Sequence, residues 1–285
     1  MKIGIIGLGL IGGSLARAIS TKTQHEVYAY DIDEKALKTG ALLSAYKERL
    51  TDDNLSKMDV VIFALYPKAV IKALEEYSPK LKKGCVVMDC CGNKRVVEGK
   101  MKELSLIYPD LIFIGAHPMA GREFSGIKHS TATLYDKASM LLVPINADIK
   151  TLSSVKQFIL SIGFATVIIT TAKEHDEIIA YTSQLAHIVS SSYIKSPTAQ
   201  RYVGFSAGSF RDMTRVARLS PEMWSQLTVE NSDNLVEEIT CIQQKLEEYK
   251  QALIEKDIQK VYDLLADGNA KKLSAEKAKN AKICD

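Results

Sequence analysis

The stretch that decides the fold is Lys2-Ile3-Gly4-Ile5-Ile6-Gly7-Leu8-Gly9-Leu10-Ile11-Gly12. Its first half is a short β-branched run, as expected of a buried strand. Its second half is a glycine-rich turn that opens a helix. A GxGxxG string is weak evidence alone, but a strand before it and a helix after it supply the context in which such a loop cradles phosphate. Gly7 permits the tight turn, Gly9 lets a pyrophosphate approach the backbone, and Gly12 lets helix and strand pack closely. Leu8, Leu10 and Ile11 fill the loop between them, and the free N–H groups at the helix start offer an anion site.

Outward from this stretch, short apolar runs recur at Glu26–Tyr30, Asp59–Leu65, Cys85–Asp89, Leu111–Ala116, Ser139–Pro144 and Ala165–Thr170. Each is rich in β-branched residues, and helix-like stretches separate the early ones. The alternation predicts an α/β fold, a Rossmann-like, doubly wound and mostly parallel sheet with helices on both faces. The second run ends at Asp31, 19 residues after Gly12. A carboxylate at that place accepts hydrogen bonds from the adenosine ribose and repels a 2′-phosphate, so NAD is expected over NADP.

Beyond Thr171 the strand-like runs stop. Thr171 and Glu174 have the spacing of a capping box, and Ile178, Tyr181, Leu185 and Ile188 then form an apolar stripe expected to pack. Asp176, Ser183, His187 and Ser190 fall on another face, expected to line a cleft. Ser220 before Pro221 marks another helix start. Leu235, Ile239, Ile242, Leu246, Tyr249 and Leu253 then make a seam of nearly three heptads, with no other long segment in sight to cover it. The expected organisation is a dinucleotide-binding domain over residues 1–171 and an all-helical domain over 172–285.

Composition bounds the remaining classes. At 285 residues, with 46% hydrophobic and 25% charged residues, the chain has material for two globular domains. A net charge of +3 gives no case for nucleic-acid binding; only Lys271–Lys282 is locally basic, as a solvated helix end or frayed terminus would be. The five cysteines, Cys85, Cys90, Cys91, Cys241 and Cys284, have no framework spacing and fit a reducing compartment. No run of about 18 apolar residues suggests a membrane span, and the glycine-dense N-terminus does not read as a signal peptide. The expectation is a cytoplasmic protein with no metal.

His117 lies in Ala116-His117-Pro118-Met119-Ala120-Gly121, at the carboxyl end of an expected strand. Open α/β sheets bind their ligands at that edge, and an imidazole there can take a proton from a hydroxyl while hydride leaves the same carbon. Arg211 and Arg215 lie one helical turn apart and could grip an anionic substrate; from spacing alone they read equally as a solvated basic face. His187 likewise reads either as a pocket residue or as a packed histidine. His25, His129 and His175 are assigned to the surface.

At these residues the sequence resembles the prephenate dehydrogenase family. The resemblance runs through the N-terminal fingerprint, His117-Pro118-Met119-Ala120-Gly121 with Ser125-Gly126, and Ser183-Gln184-Leu185-Ala186-His187. It continues through Phe210-Arg211-Asp212-Met213-Thr214-Arg215 and Ser220-Pro221-Glu222-Met223-Trp224. It implies an NAD-binding domain, a helical domain that forms a homodimer, and oxidative decarboxylation of prephenate to 4-hydroxyphenylpyruvate on the route to tyrosine. It also implies that His117 accepts the ring-hydroxyl proton, that Arg215 holds a substrate carboxylate, and that His187 lines the pocket, with Arg211 and Gln184 as further candidates.

Two departures stand out. Many relatives carry a serine where Gly92 stands, so the hydrogen bond of that serine is absent or supplied by another group. Gln184 also replaces a second histidine of many relatives. The cationic balance of Arg211, Arg215 and His187 favours the dianion prephenate over arogenate. Arogenate dehydrogenase and a non-catalytic, NAD-sensing protein remain the alternatives. A β-hydroxyacid type of dehydrogenase would need a lysine with a nearby asparagine on the helix after Thr171, and no such pairing is found there.

Overall fold

The computed structural model describes residues 1–122 and 124–284, with side chains as far as residue 277. The seven expected strands are all present: β1 (Lys2–Ile6), β2 (Glu26–Tyr30), β4 (Val60–Phe63), β5 (Val86–Asp89), β6 (Ile112–Pro118), β7 (Ser139–Pro144) and β8 (Thr166–Ile169). An eighth, β3 (Glu48–Arg49), has only two exposed charged residues and therefore no apolar pattern to betray it. The order across the sheet is β3-β2-β1-β4-β5-β6-β7-β8. All neighbours are parallel except β6 and β7. Among the described residues no α-helix lies between those two strands, only a short 3-10 turn at Ile127–His129, so no crossover forces them parallel.

Both faces of the central strands are buried, as their unbroken apolar runs require, while the edge strands β3 and β8 are largely exposed. Val60 and Ile62 of β4 point into one layer of the core with Ile3, Ile5, Leu15, Ile19, Met88 and Ile114. Val61 and Phe63 point the other way, into a layer with Val70, Leu74, Val87, Met101 and Phe113. This period of two is the pleat made visible. The covering helices are α1 (Leu10–Lys22), α2 (Glu34–Leu42), α3 (Asp52–Leu55), α4 (Pro67–Tyr77), α5 (Arg95–Ile107) and α6 (Ile149–Ser161).

From residue 172 the chain is helical: α7 (Ala172–Ile179), a π-helical stretch (Ala180–Leu185), α8 (Ala186–Tyr193), α9 (Gly208–Thr214), α10 (Pro221–Glu230), α11 (Ser232–Ile254) and α12 (Ile258–Cys284). Half of the expected capping box forms: Glu174 N donates to Thr171 Oγ1, but the Glu174 carboxylate accepts from Thr170 Oγ1 (2.6 Å) instead of from the Thr171 backbone. Strands end at Ile169, close to the expected division, but the first compact unit runs on to Ser232; the second is Asp233–Asp285.

The sequence-based choice of packing face after Thr171 is corrected. Of the expected stripe Leu185 is buried, but Ile178 and Tyr181 are 52% and 62% exposed, whereas Asp176, Gln184 and Ser190 are buried. The polar groups are buried because each finds a partner: Asp176 the backbone of Lys94 and Arg95, Gln184 the amides of Asn93 and Asn231, and Ser190 the carbonyl of Met213. In the second unit the seam residues Leu246 and Leu253 remain 63% and 64% exposed, while Leu235 is buried. The expectation that no second long segment exists is also corrected, because α12 continues for 27 residues. Among the described residues no helix is long and apolar enough to cross a membrane.

Candidate active site

The strands β1, β2, β4, β5 and β6 run parallel, so their carboxyl ends share one edge of the sheet, and the order reverses between β1 and β4. Ligands of open α/β sheets bind at such a reversal. The glycine loop sits there. Gly7 has φ +97°, and a Cβ on it would lie 2.5 Å from Ala64 O. A Cβ on Gly12 would lie 1.9 Å from Gly7 O, so strand and helix can approach only because it is absent. Gly9 differs, for nothing lies within 4 Å of its would-be Cβ. It is the N-cap of α1 without any side-chain cap, which leaves the helix start to an outside acceptor. Asp31 ties the loop to β2: its Oδ2 accepts from Leu8 N (2.6 Å) and its Oδ1 from Asp33 N (2.8 Å). Two oxygens offer about four lone-pair directions, so acceptor capacity remains for ribose hydroxyls. These residues fit a dinucleotide.

His117 closes β6 at the same edge. Its Nδ1 lies 2.9 Å from His175 Nε2, and His175 Nδ1 lies 2.8 Å from Asp176 Oδ1. The placement of His175 on the surface is therefore wrong: it is buried on α7, against the sheet. Asp176 is anchored from α5, accepting from Lys94 N (2.7 Å), Arg95 N (3.0 Å) and Arg95 Nε (3.2 Å). Burial pushes the Asp176 carboxyl up, yet His175 and the two backbone donors more than offset it, so it stays below its ordinary value and ionised. Burial pushes His117 well below its ordinary value, helped by His175 and by the Lys94 cation. Burial also lowers His175, in spite of Asp176. Lys94 itself is buried against Asp89, whose Oδ1 accepts from Ala116 N (3.0 Å) and so fixes the backbone beside His117.

Behind this row lies a closed cluster of amides. Gln184 Nε2 donates to Asn93 Oδ1 (2.8 Å), and Asn231 Nδ2 donates to Gln184 Oε1 (2.8 Å) and to Asp176 O (2.8 Å). Asn93 Nδ2 donates to Leu227 O (2.7 Å), and Arg95 Nη2 to Asn231 Oδ1 (2.9 Å). Gln184 is thus enclosed with its amide engaged, and the structure does not present it to a cleft. The departures noted in the sequence belong together here. A Cβ on Gly92 would meet Leu227 Cδ2 at 3.2 Å, so the leucine fills the room a serine would need. The group that hydrogen-bonds His117 is His175. Burial pushes the Cys90 and Cys91 thiols up, which makes them poor nucleophiles.

The remaining candidates lie on the helices. His187 Nδ1 donates to Ser183 O (2.7 Å), and its ring packs on Trp224 with centroids 4.1 Å apart. Arg211 is on α9, lining an open concavity with Tyr202, Ser206, Phe210 and Thr214. Arg215 follows at the end of α9, exposed. Ser220 starts α10 as expected, but its hydroxyl donates to Glu222 Oε2 (2.9 Å) rather than capping the backbone. Among the described residues no group of three or more His, Cys, Asp and Glu gathers as metal ligands would.

Comparison with known proteins adds to this geometry. Residues 15–169 match the family described as prephenate dehydrogenase, nucleotide-binding domain, and residues 171–267 match prephenate dehydrogenase, dimerization domain. A cyclohexadienyl dehydrogenase of Zymomonas mobilis is 29% identical over 82% of this chain and 82% of its own length. A prephenate dehydrogenase of Lactococcus lactis is 28% identical over 98% of this chain and 79% of its own length. The crystal structure of prephenate dehydrogenase from Aquifex aeolicus, in complex with hydroxyphenyl propionate and NAD+, has the same fold. Its TM-score is 0.81 at 22% identity, covering 96% of this chain and 98% of that one.

Proposed function

The chain belongs to the prephenate dehydrogenase family, and on that premise we propose that it catalyses the NAD-dependent oxidative decarboxylation of prephenate to 4-hydroxyphenylpyruvate in tyrosine biosynthesis. The observation that carries this reading is a neutral imidazole, His117, at the sheet edge that also holds the uncapped glycine loop. Bound nicotinamide supplies the hydride acceptor. His117 takes the proton of the ring hydroxyl as the carbon that bears it becomes a carbonyl. The ring carboxylate then departs as carbon dioxide, its bonding electrons pass through the ring to that oxygen, and the resulting phenolate recovers its proton from His117. Aromatisation drives the sequence.

Arg215, with Arg211 and His187, is assigned to the carboxylates and the pocket. Gln184 is withdrawn from that set, because it is buried with its amide engaged by Asn93, Leu227 and Asn231. An ammonium-bearing substrate such as arogenate would therefore gain no acceptor from it, which favours prephenate. Asp31 at the end of β2 supports NAD over NADP. We also infer a homodimer through the helical region 172–285, supported by the dimerization-domain match and by the exposed Leu246 and Leu253. A cytoplasmic setting accords with the free thiols of Cys85, Cys90, Cys91 and Cys241. Measuring kcat/KM for prephenate and arogenate, each with NAD and NADP, tests the specificity. The reading expects prephenate with NAD to be the best pair; equal or higher efficiency with arogenate or NADP would defeat it.

A further inference from the structure

We propose that His175 is a positioning residue that fixes the tautomer of His117 and shares the proton His117 collects. Asp176 decides where the protons of the row sit. Its carboxylate is ionised and can only accept, so the 2.8 Å contact from His175 requires a proton on His175 Nδ1. His175 is buried and held neutral, so its Nε2 carries a lone pair and no proton. The 2.9 Å contact to His117 then requires that His117 Nδ1 be the donor. In neutral His117 the lone pair is left on Nε2 alone. A base with a single, fixed lone pair is what abstraction of a hydroxyl proton needs, and the chain of three groups enforces it.

When Nε2 of His117 gains the substrate proton, its Nδ1–H can move towards His175 Nε2, and the positive charge is then faced by the Asp176 carboxylate. No proton is lost: as the phenolate reclaims its proton from His117 Nε2, the shared proton returns to His117 Nδ1. The charged groups around the pair balance this. Lys94 and Asp89 neutralise each other, Arg95 pairs with Asp176, and Glu230, raised by burial, sits beyond Asp176. The backbone N–H groups of Lys94 and Arg95 hold Asp176 in register, so the row is built from β6, α7 and the start of α5 together.

The inference rests on the reaction proposed above only for His117 acting as its base, and its first test needs no substrate. Nitrogen-15 shifts of the histidine rings in the free protein at neutral pH, assigned with His117→Asn and His175→Gln, report each tautomer. The expected result is a protonated Nδ1 and a bare Nε2 on both His117 and His175. A proton on His117 Nε2 would overturn the proposal. In kinetics, His175→Leu removes the acceptor and should lower kcat by about 10–100-fold, as loss of an outer partner that orients a working histidine does. KM for both substrates should change little. His175→Gln can still accept from His117 Nδ1 and should recover most of the loss. Equal impairment of the two variants, or wild-type kcat in His175→Leu, would refute it. Absence of prephenate turnover in the wild type would instead fault the assigned reaction, since the tautomers are read without it.

Discussion

Replacing Gly9 by alanine should separate cofactor binding from folding. The backbone of Gly9, φ −73° and ψ −157°, is extended, so an L-residue can adopt it, and its new Cβ would meet nothing within 4 Å. The alanine cap is poorer than glycine, but the less flexible unfolded chain offsets this, and stability should move by less than about 1 kcal/mol. The methyl group nevertheless occupies the space through which a pyrophosphate must reach the start of α1. A lost charge-assisted hydrogen bond is worth roughly 1.5–3 kcal/mol, or about 10–100-fold in Kd. Gly12→Ala is the contrasting case. Its Cβ would stand 1.9 Å from Gly7 O, so α1 must move away from the loop, and roughly 1–3 kcal/mol of stability should go with it. NADH binding followed by fluorescence, beside urea unfolding of the same variants, distinguishes them. Wild-type NADH affinity in Gly9→Ala, or a stability loss equal to that of Gly12→Ala, would refute the assignment of the loop.

Other consequences follow from the row of buried groups. His117→Asn should cost roughly 10²–10⁴ in kcat while NADH binding persists, since a general base contributes about that much. Because burial holds His117 below its ordinary value, it stays neutral to lower pH; the acid limb of kcat/KM should lie below about 6.5, and a limb above that value would contradict the site. His117 and His175 are both lowered, so below about pH 6.5 the unfolded chain binds protons that the folded chain refuses. Stability should therefore be constant above that pH and fall beneath it, visible as a lower urea midpoint at pH 5.5 than at 7.5. Asn231→Ala removes the donors to Asp176 O and Gln184 Oε1, two buried acceptors worth about 1–3 kcal/mol each, and should lower Tm markedly. An unchanged Tm would show that the amide cluster holds nothing.

Much of the fold is legible in the sequence because the physics is local. β4 and β5 announce themselves by short apolar runs that begin with paired valines, and the glycine loop by its place between strand and helix. His117 is legible for the same reason, at the end of β6. What escapes depends on partners far along the chain. His175 and Asp176 directly follow the Thr171–Glu174 capping-box spacing, which alone reads as an exposed helix start. Only the backbone of Lys94 and Arg95, some eighty residues away in sequence, makes that acid a buried anchor. Gln184 reads as a pocket residue until Asn93 and Asn231 enclose it. The stripe of Ile178 and Tyr181 misleads because the face opposite it buries Asp176 and Gln184 against partners that only the fold brings near.

The most direct measurement is the stoichiometry of a single reaction with purified protein, prephenate and NAD. The account predicts one NADH, one carbon dioxide and one 4-hydroxyphenylpyruvate formed per prephenate consumed, with all three abolished together in His117→Asn. Binding of NAD with no reduction in the presence of prephenate, or reduced cofactor without release of carbon dioxide, would contradict it.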